Sequence, residues 1–89
     1  MTWFVYLLKC SDNSLYTGVS TNIERRLNEH NTCNKKGARY TRARRPVTVE
    51  YYEHAENRSE AGKREAAIKK LSRLQKLALI KGNSPDKFI

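Results

Sequence analysis

One acidic residue lies among apolar residues on a predicted helix. The sequence after residue 58 has helical periodicity, and Glu65 follows Ala61 by four residues and precedes Ile68 by three. Because these positions share one face of a helix, we expect the Glu65 carboxylate to point towards the body of the protein. A buried carboxylate requires a cation, a metal ion or hydrogen-bond donors. Glu65 is therefore either the partner of a cation such as Arg26 or the ligand of one divalent metal ion, since Mg²⁺ accepts a single carboxylate together with several waters.

Two tyrosines lie on two short predicted strands near the start of the chain. The segments from Trp3 to Lys9 and from Leu15 to Val19 are typical of a β-hairpin, because a turn-forming segment separates two runs rich in aromatic and β-branched residues. A two-residue turn at Asp12-Asn13 would put Tyr6 and Tyr16 on opposite faces, whereas a loop of odd length would put them on the same face. Two hydroxyls that act together therefore require an odd or bulged loop. The alternative for both residues is ordinary packing of the ring.

A third predicted element is a helix with a polar pair beside its apolar face. The segment Thr21-Asn22-Ile23-Glu24 matches a capping box, so we expect a helix with Thr21 as its N-cap, ending within residues 31–34. Ile23 and Leu27 would face the core, and Arg26 and His30, four residues apart, would share the neighbouring face.

Arg26 is a better candidate for chemistry than Arg25, because it lies next to Leu27 on the helix surface while Arg25 is rotated further away. The planar guanidinium of an arginine suits two oxygens of a phosphate group and stabilises the charge that builds on them. His30, one turn later, is a candidate second phosphate donor or proton carrier. The alternatives are a solvated arginine and a histidine that only terminates the helix.

The charge of the chain favours anionic partners. Lys and Arg number 18 against 9 acidic residues, which gives a net charge of +9. Nucleic acid is the first partner to consider, although acidic proteins and anionic membrane surfaces attract the same charge. One stretch without acidic residues is a candidate loop for gripping a phosphate backbone, with an aromatic that could stack on an unpaired base; a solvated loop is the alternative. Its members are Lys35, Lys36, Arg39, Tyr40, Arg42, Arg44 and Arg45.

The remaining elements complete an α/β (α+β) domain with the order β-β-α-β-α-α. Residues 47–54 alternate as a third strand, with Val47, Val49 and Tyr51 expected on one face. The long helix should end at Ser72, where a second capping box starts a last helix that ends at Gly82, with Pro85 beyond. That helix is expected to turn Leu74, Leu77 and Ala78 inwards. We expect a small, mainly antiparallel three-stranded sheet flanked by helices, with the Arg26 and Glu65 helices bordering one active face.

Length and composition exclude several classes of protein. A chain of 89 residues is expected to form one domain over residues 1–89, and no apolar run approaches the roughly 18 residues of a membrane-spanning helix. The start of the chain lacks the pattern of a signal peptide, so we expect a cytoplasmic protein. Cys10 and Cys33 form no metal-binding spacing, and we expect reduced, inert thiols.

The candidate residues together resemble the GIY-YIG nuclease superfamily, and most closely its small stand-alone bacterial branch. The resemblance covers nearly the whole chain, from about Trp3 to Ile80. The segments that carry it are Phe4-Val5-Tyr6, Tyr16-Thr17-Gly18, Asn22 to Leu27, His30-Asn31, and Lys63 to Leu71 with Glu65.

The resemblance implies a metal-dependent endonuclease that hydrolyses DNA by attack of water and leaves a 5′ phosphate and a 3′ hydroxyl. Tyr6 would remove a proton from water, with its pKa of about 10 offset by nearby positive charge. Tyr16 would hold the phosphate or the water, and Arg26 would stabilise the phosphate. His30 would act as expected above, and Glu65 would hold one Mg²⁺ or Mn²⁺ ion.

Two other functions stay open. Phe4 stands where the family triplet has glycine, and no late asparagine can be assigned to the site. A DNA- or RNA-binding module that keeps the fold and cleaves little is therefore the first alternative. A protein-interaction domain with an acidic partner is the second. For the nuclease, phosphate contacts give no means to read bases, so we expect recognition of shape, or targeting by a protein partner.

Overall fold

A computed structural model describes residues 2–33, 35–36 and 39–82 of the chain. Three strands and four helices follow one another in the expected order, with one addition: a short helix lies inside the basic segment, which was expected to be a loop. In chain order the elements are β1 (Trp3–Lys9), β2 (Leu15–Ser20), α1 (Ile23–Thr32), α2 (Arg39–Arg42), β3 (Thr48–Ala55), α3 (Arg58–Lys69) and α4 (Arg73–Gly82).

The sheet is antiparallel, with β1 in the centre and the order β2-β1-β3. The loop between β1 and β2 has five residues, 10–14, and Asn13 adopts a φ of 68° within it. Tyr6 pairs with Gly18, and Leu8 pairs with Tyr16. Because the loop is odd in length, Tyr6 and Tyr16 lie on the same face of the sheet.

A β-bulge changes the face of the third strand. Leu7 pairs with Tyr51, but the next residue, Leu8, pairs with Val49, so Glu50 is an extra residue on β3. Since side chains alternate along a strand, the extra residue sends Val49 and Tyr51 to opposite faces. The expectation that these two residues share a face is wrong, because simple alternation cannot register an inserted residue.

Each face of the sheet has its own apolar core. One core lies under α3 and α4, and its buried members are Val5, Leu7, Tyr51, Ala55, Ala61 and Ile68. The other lies under α1, where Ile23 and Leu27 pack against a cluster of Tyr6, Leu8, Cys10 and Val47. The helices that carry Arg26 and Glu65 therefore cover opposite faces, so the expectation that both border one face is wrong.

Capping side chains define where α1 and α4 begin, both of which the sequence predicted from capping boxes. Asn22, not Thr21, caps α1, because its side-chain oxygen accepts a hydrogen bond from the Arg25 amide at 3.0 Å. Asparagine and threonine are both good N-caps, so the sequence alone could not choose between adjacent positions. The second capping box is confirmed: Gln75 N donates to Ser72 Oγ at 3.2 Å and Ser72 N donates to Gln75 Oε1 at 2.9 Å.

The last helix packs through a different face from the one expected. Leu79 and Ile80 are partly buried against the α3-side core, whereas Leu74 is 79% exposed and Leu77 is 38% exposed. Ala78 is also exposed. Apolar residues lie on more than one side of α4, so periodicity gave no unique inner face.

Other expectations concern the membrane, the thiols and the end of the chain. Among the described residues, no helix is long and apolar enough to cross a membrane. Cys10 is buried, Cys33 is partly exposed, and both are free. Pro85, expected beyond the last helix, lies outside the described residues.

Candidate active site

A buried hydrogen bond joins a strand tyrosine to a helix histidine. Tyr6 points from β1 towards α1, and its Oη lies 3.2 Å from Nε2 of His30 in the last turn of α1. Tyr6 is 2% exposed and His30 is fully buried. Gly18 of β2 leaves the necessary space, because a Cβ there would lie 2.5 Å from Tyr6 Oη. The structure therefore brings two of the candidate residues, Tyr6 and His30, into direct contact.

The other ring nitrogen of His30 has a partner that sequence reasoning missed. Nδ1 lies 2.8 Å from Oγ1 of Thr41, and Thr41 is fully buried. Thr41 belongs to α2, which lies in the segment expected to be a loop that grips a phosphate backbone. In the sequence, the only sign of a special role for Thr41 is that it is a small hydroxyl residue among charged neighbours. Because the short helix α2 was not predicted, nothing indicated that the Thr41 side chain points inwards.

Tyr16 lies beside this hydrogen-bonded pair. Its ring meets His30 edge-on, with centroids 5.3 Å apart, and stacks on Tyr40 at 5.9 Å with an interplanar angle of 25°. The guanidinium of Arg44 lies 4.0 Å from the centre of the Tyr40 ring. The Tyr40 ring, expected to stack on an unpaired base, therefore has stacking partners within the protein.

Arg26 reaches inwards, as its position beside the apolar face predicted. Its side chain is 25% exposed, compared with 61% for Arg25. Nη1 of Arg26 donates to Oε1 of Glu29 at 2.9 Å and also to the backbone carbonyl of Lys36. The positive charge of the Arg26 guanidinium also acts on Tyr6 and favours a lower pKa of its hydroxyl. Arg26 is therefore held next to the Tyr6 hydroxyl.

Burial dominates the acidity of the Tyr6 hydroxyl. It raises the pKa of Tyr6 from 10.0 to about 12. The positive charge of Arg26 opposes this rise, while the charges of Tyr16 and Glu65 add to it. Arg26 does lower this pKa, as expected, but desolvation outweighs a single guanidinium, so the net shift is upward. Tyr6 is a neutral phenol at neutral pH.

Burial acts on His30 in the opposite direction. Together with the positive charges of Arg26 and Arg45, and against the opposing charge of Glu29, burial lowers the pKa of His30 from 6.5 to about 4. His30 is therefore a neutral imidazole at neutral pH, with one nitrogen that carries hydrogen and one that accepts it.

Glu65 acts on the site from the other side of the sheet. Its helix, α3, packs against β2 and β1, and its negative charge is one of the causes that raise the pKa of Tyr6. The Glu65 side chain is 25% exposed and lies 3.4 Å from Nζ of Lys69. The carboxylate partner of Arg26 is Glu29, so the alternative of a Glu65–Arg26 salt bridge is wrong.

The donor set fits only a weakly held metal ion. In the parts of the chain that the structure describes, no three His, Cys, Asp or Glu side chains group as a metal cage. A partly exposed carboxylate such as Glu65 suits Mg²⁺, which keeps several waters and takes phosphate oxygens of its substrate. Mn²⁺ has similar ligand preferences. The residues present therefore fit an ion shared between Glu65, water and a bound phosphate.

Two arginines of the basic segment have structural contacts that the prediction did not include. Arg44 forms a 3.1 Å ion pair with Asp12. Arg45 Nε donates to the carbonyl of His30 at 2.6 Å, and its Nη2 donates to the carbonyl of Cys33 at 3.0 Å, so it satisfies the end of α1. The exposed basic candidates are Lys35, Lys36, Arg39 and Arg42.

The comparisons with known proteins define the class. The sequence matches the GIY-YIG catalytic domain over residues 2–78, and the chain therefore belongs to the GIY-YIG family. It is 57% identical over 81 residues to a UPF0213 protein of Desulfotalea psychrophila, an alignment that covers 91% of this chain and 73% of that protein.

Two solved structures share the fold. The NMR structure of the UPF0213 protein BH0048 from Bacillus halodurans has a TM-score of 0.60 at 36% identity, and the comparison covers 96% of this chain and 88% of that one. The NMR structure of the protein EF2693 from E. faecalis has a TM-score of 0.63 at 46% identity, with 92% and 85% covered. This chain thus has the α+β fold of small GIY-YIG proteins.

Proposed function

We propose that this GIY-YIG protein is an endonuclease that hydrolyses phosphodiester bonds of DNA by attack of water, with the help of one divalent metal ion. The observation that carries the proposal is the buried contact of 3.2 Å between the Tyr6 hydroxyl and the neutral His30 ring. Through this contact, a proton taken from water by the Tyr6 hydroxyl could be passed on to His30.

Proton transfer in this proposal needs no free phenolate. Water transfers a proton to Tyr6 Oη as the Tyr6 proton moves to Nε2 of His30. With a pKa of about 12 for Tyr6 and about 4 for His30, neither step is favourable in the empty site. A bound phosphate supplies negative charge, which raises the pKa of His30 and so favours the imidazolium. Negative charge grows on the phosphate in the transition state, so the rise in the His30 pKa is largest at the moment when His30 accepts the proton.

Two further side chains act on the phosphate itself. Arg26 lies beside the Tyr6 hydroxyl, and its donors stabilise the charge that builds on the phosphate oxygens. Its contact with Glu29, at 2.9 Å, holds the guanidinium in place but also competes with substrate for its donors. Tyr16 directs its ring edge-on at His30 and would hold the phosphate or the water through its hydroxyl.

Glu65 is the proposed metal ligand, for Mg²⁺ or Mn²⁺. When bound, the ion would polarise the phosphate and neutralise the departing oxygen. Glu65 itself would exchange its contact with Lys69 for the ion.

DNA binding is assigned to the exposed basic residues and is expected to be independent of sequence. Contacts to phosphates position a protein but do not read bases. We expect recognition of shape, or targeting by a protein partner, in the cytoplasm. The residues proposed for backbone contact are Lys35, Lys36, Arg39 and Arg42, all exposed.

One observation favours a second candidate function, a DNA- or RNA-binding module that does not cleave. Burial holds Tyr6 as a phenol with a pKa of about 12, so the empty site contains no ready base. This candidate predicts retention on nucleic acid without strand cleavage at any metal concentration.

The test compares two glutamates on the same helix. Glu65→Gln removes the proposed ligand, and Glu60→Gln is the matched control, since Glu60 is exposed in the first turn of α3. Purified proteins are incubated with supercoiled plasmid and with branched, flapped, single-stranded and linear DNA, each with Mg²⁺, Mn²⁺ or chelator. We expect metal-dependent nicking by the wild type and the Glu60 variant, and its loss in the Glu65 variant. Binding without nicking by the wild type supports the second candidate instead.

A further inference from the structure

We propose that Thr41 is a positioning residue: it holds His30 in the tautomer with hydrogen on Nδ1, so that the lone pair of Nε2 faces the hydroxyl of Tyr6. The inference deepens the proposed function and rests on it, because only the proton path from water gives that lone pair a task.

The contact is short and fully shielded from water. Thr41 Oγ1 lies 2.8 Å from His30 Nδ1, and both residues are fully buried. On the other side of the ring, Nε2 lies 3.2 Å from Tyr6 Oη. Because the ring has a partner at each nitrogen, it cannot rotate or change tautomer without altering both hydrogen bonds.

Two hydrogen arrangements fit these distances. In the first, Tyr6 donates to Nε2 and Nδ1–H donates to Thr41. In the second, Nε2–H donates to Tyr6 and the Thr41 hydroxyl donates to Nδ1. Only the first places an acceptor where the Tyr6 proton must go, so the choice between them decides whether the pair can serve the reaction.

Burial of the Tyr6 hydroxyl decides between the two arrangements. Tyr6 is 2% exposed, and the nearby Arg26 guanidinium has only donors and cannot accept its hydrogen. The hydrogen of Tyr6 must therefore point to another acceptor. Among the described residues, the only acceptor within hydrogen-bond distance of Tyr6 Oη is Nε2 of His30. The second arrangement would leave a buried hydroxyl hydrogen without an acceptor, which costs about 1–3 kcal/mol.

The protonation state of His30 supports the same conclusion. Burial and the charge of Arg26 lower the pKa of His30 to about 4, so the ring carries a single hydrogen at neutral pH. One nitrogen must then be an acceptor: the buried Tyr6 hydroxyl requires it to be Nε2, and Thr41 accepts the hydrogen that this leaves on Nδ1. α2, only four residues long, brings this hydroxyl to the end of α1.

The first readout is spectroscopic and needs no activity. The chain has two histidines, and the exposed His54 serves as an internal reference. Imidazole ¹⁵N shifts in ¹⁵N-histidine-labelled protein distinguish the two tautomers. We expect hydrogen on Nδ1 of His30 in the wild type and in Thr41→Ser, and a shift towards Nε2–H in Thr41→Val. An Nε2–H ring in the wild type overturns the inference, and this measurement does not depend on any variant being folded.

The second readout is kinetic. We expect Thr41→Val to lower kcat by about tenfold to a hundredfold, with KM changed by less than about threefold, and Thr41→Ser to restore most of kcat. Thr32→Val is the control, because the exposed Thr32 hydroxyl donates only to the carbonyl of Asn28, at 2.7 Å. A wild-type kcat in Thr41→Val contradicts the inference.

The two proposals fail separately. A wild type that does not cleave DNA contradicts the proposed function, while the tautomer of His30 still decides the role of Thr41. A wild type that cleaves DNA with His30 in the Nε2–H form contradicts the role of Thr41 and leaves the nuclease standing.

Discussion

Tyr6 and His30 are both neutral because both are buried. Burial moves their pKa values apart, to about 12 for the phenol and about 4 for the imidazole. The two groups that would move the proton therefore carry no charge until a phosphate arrives. Arg26 supplies the positive charge beside them, so the empty site attracts an anion without containing a reactive base.

The depressed pKa of His30 predicts a pH-dependent stability. The folded protein resists protonation of His30 down to about pH 4, whereas the unfolded chain takes up this proton below about pH 6.5. The unfolded state then binds more protons, so stability is full above pH 6.5 and falls as the pH drops towards 4, by about 3 kcal/mol for this group.

Urea unfolding at pH 7, 5.5 and 4.5 measures this effect. His30→Gln should lose this component of the pH dependence, and His54→Gln, at an exposed position on β3, should keep it. An equal pH dependence in the wild type and His30→Gln would show that His30 is not buried in its neutral form.

At the residue level, chemical type and helix geometry predicted much of the site. The rotation of Arg26 towards the core relative to Arg25 followed from one neighbouring leucine, and their exposures of 25% and 61% confirm it. Thr41 could not be predicted, because its burial depends on contacts between α2 and α1 that no local pattern encodes. The sign of the Tyr6 shift was missed because desolvation is a property of the folded protein.

At the scale of the secondary-structure elements, side-chain hydrogen bonds hold the end of α1 in place. The side-chain amide of Asn31 donates to the carbonyl of Val47 at 3.0 Å and accepts from its amide at 2.8 Å, as a neighbouring strand would. Arg45 donates a hydrogen bond to the backbone carbonyl of His30. These contacts fix the last turn of α1, and with it the ring of His30, against the start of β3.

The hairpin makes a sharp prediction about glycine. Gly18→Ala would place a Cβ 2.5 Å from Tyr6 Oη and 2.6 Å from Cζ, and this ring cannot give way easily because it is buried and bonded to His30. We expect a loss of about 1–3 kcal/mol in the free energy of unfolding. We also expect DNA cleavage to fall by about a hundredfold or more, which is the loss expected when the Tyr6 hydroxyl is removed.

Gly62→Ala on α3 is the matched control. Nothing lies within 4 Å of a Cβ at Gly62, so the substitution should stabilise the helix by about 0.5–1 kcal/mol and leave cleavage unchanged. Thermal unfolding and nicking assays on both variants check the pair. Similar behaviour of the two variants would contradict the close approach of Tyr6 to β2.

Element order was predictable, and element faces were only partly so. Parity gave the shared face of Tyr6 and Tyr16 once the loop length was known. The bulge at Glu50 was not predicted, because simple alternation cannot register an inserted residue. The outward position of Leu74 was not predicted, because a helix with apolar residues on several sides has no unique inner face. The expectation of one shared face failed because sequence patterns do not say which side of a sheet a helix covers.

At the scale of the molecule, charge should control association with DNA. The net charge of the chain is +9. Lys35 and Lys36 are exposed and follow α1, and the backbone carbonyl of Lys36 accepts a hydrogen bond from Arg26. Each lysine that neutralises a phosphate adds about 0.9 to the slope of log affinity against log salt on duplex DNA. We expect Lys35→Gln with Lys36→Gln to reduce this slope by about 1 to 2.

The control changes the same charge elsewhere. Lys70 and Lys81 are exposed at the ends of α3 and α4, helices that cover the opposite face of the sheet. The double change Lys70→Gln with Lys81→Gln should reduce the salt slope by less than half as much. Equal reductions would mean that the positive charge acts as a whole and that no basic surface is preferred.

The most direct test of the account compares two buried tyrosines. Tyr6 and Tyr51 lie on neighbouring strands, are 2% and 6% exposed, and both have a pKa raised to about 12, but they occupy opposite faces of the sheet. The measurement is the single-turnover rate of Mg²⁺-dependent DNA cleavage by Tyr6→Phe and by Tyr51→Phe. We expect a loss of about a hundredfold or more for Tyr6→Phe and less than about threefold for Tyr51→Phe. An unchanged rate in Tyr6→Phe would contradict the account.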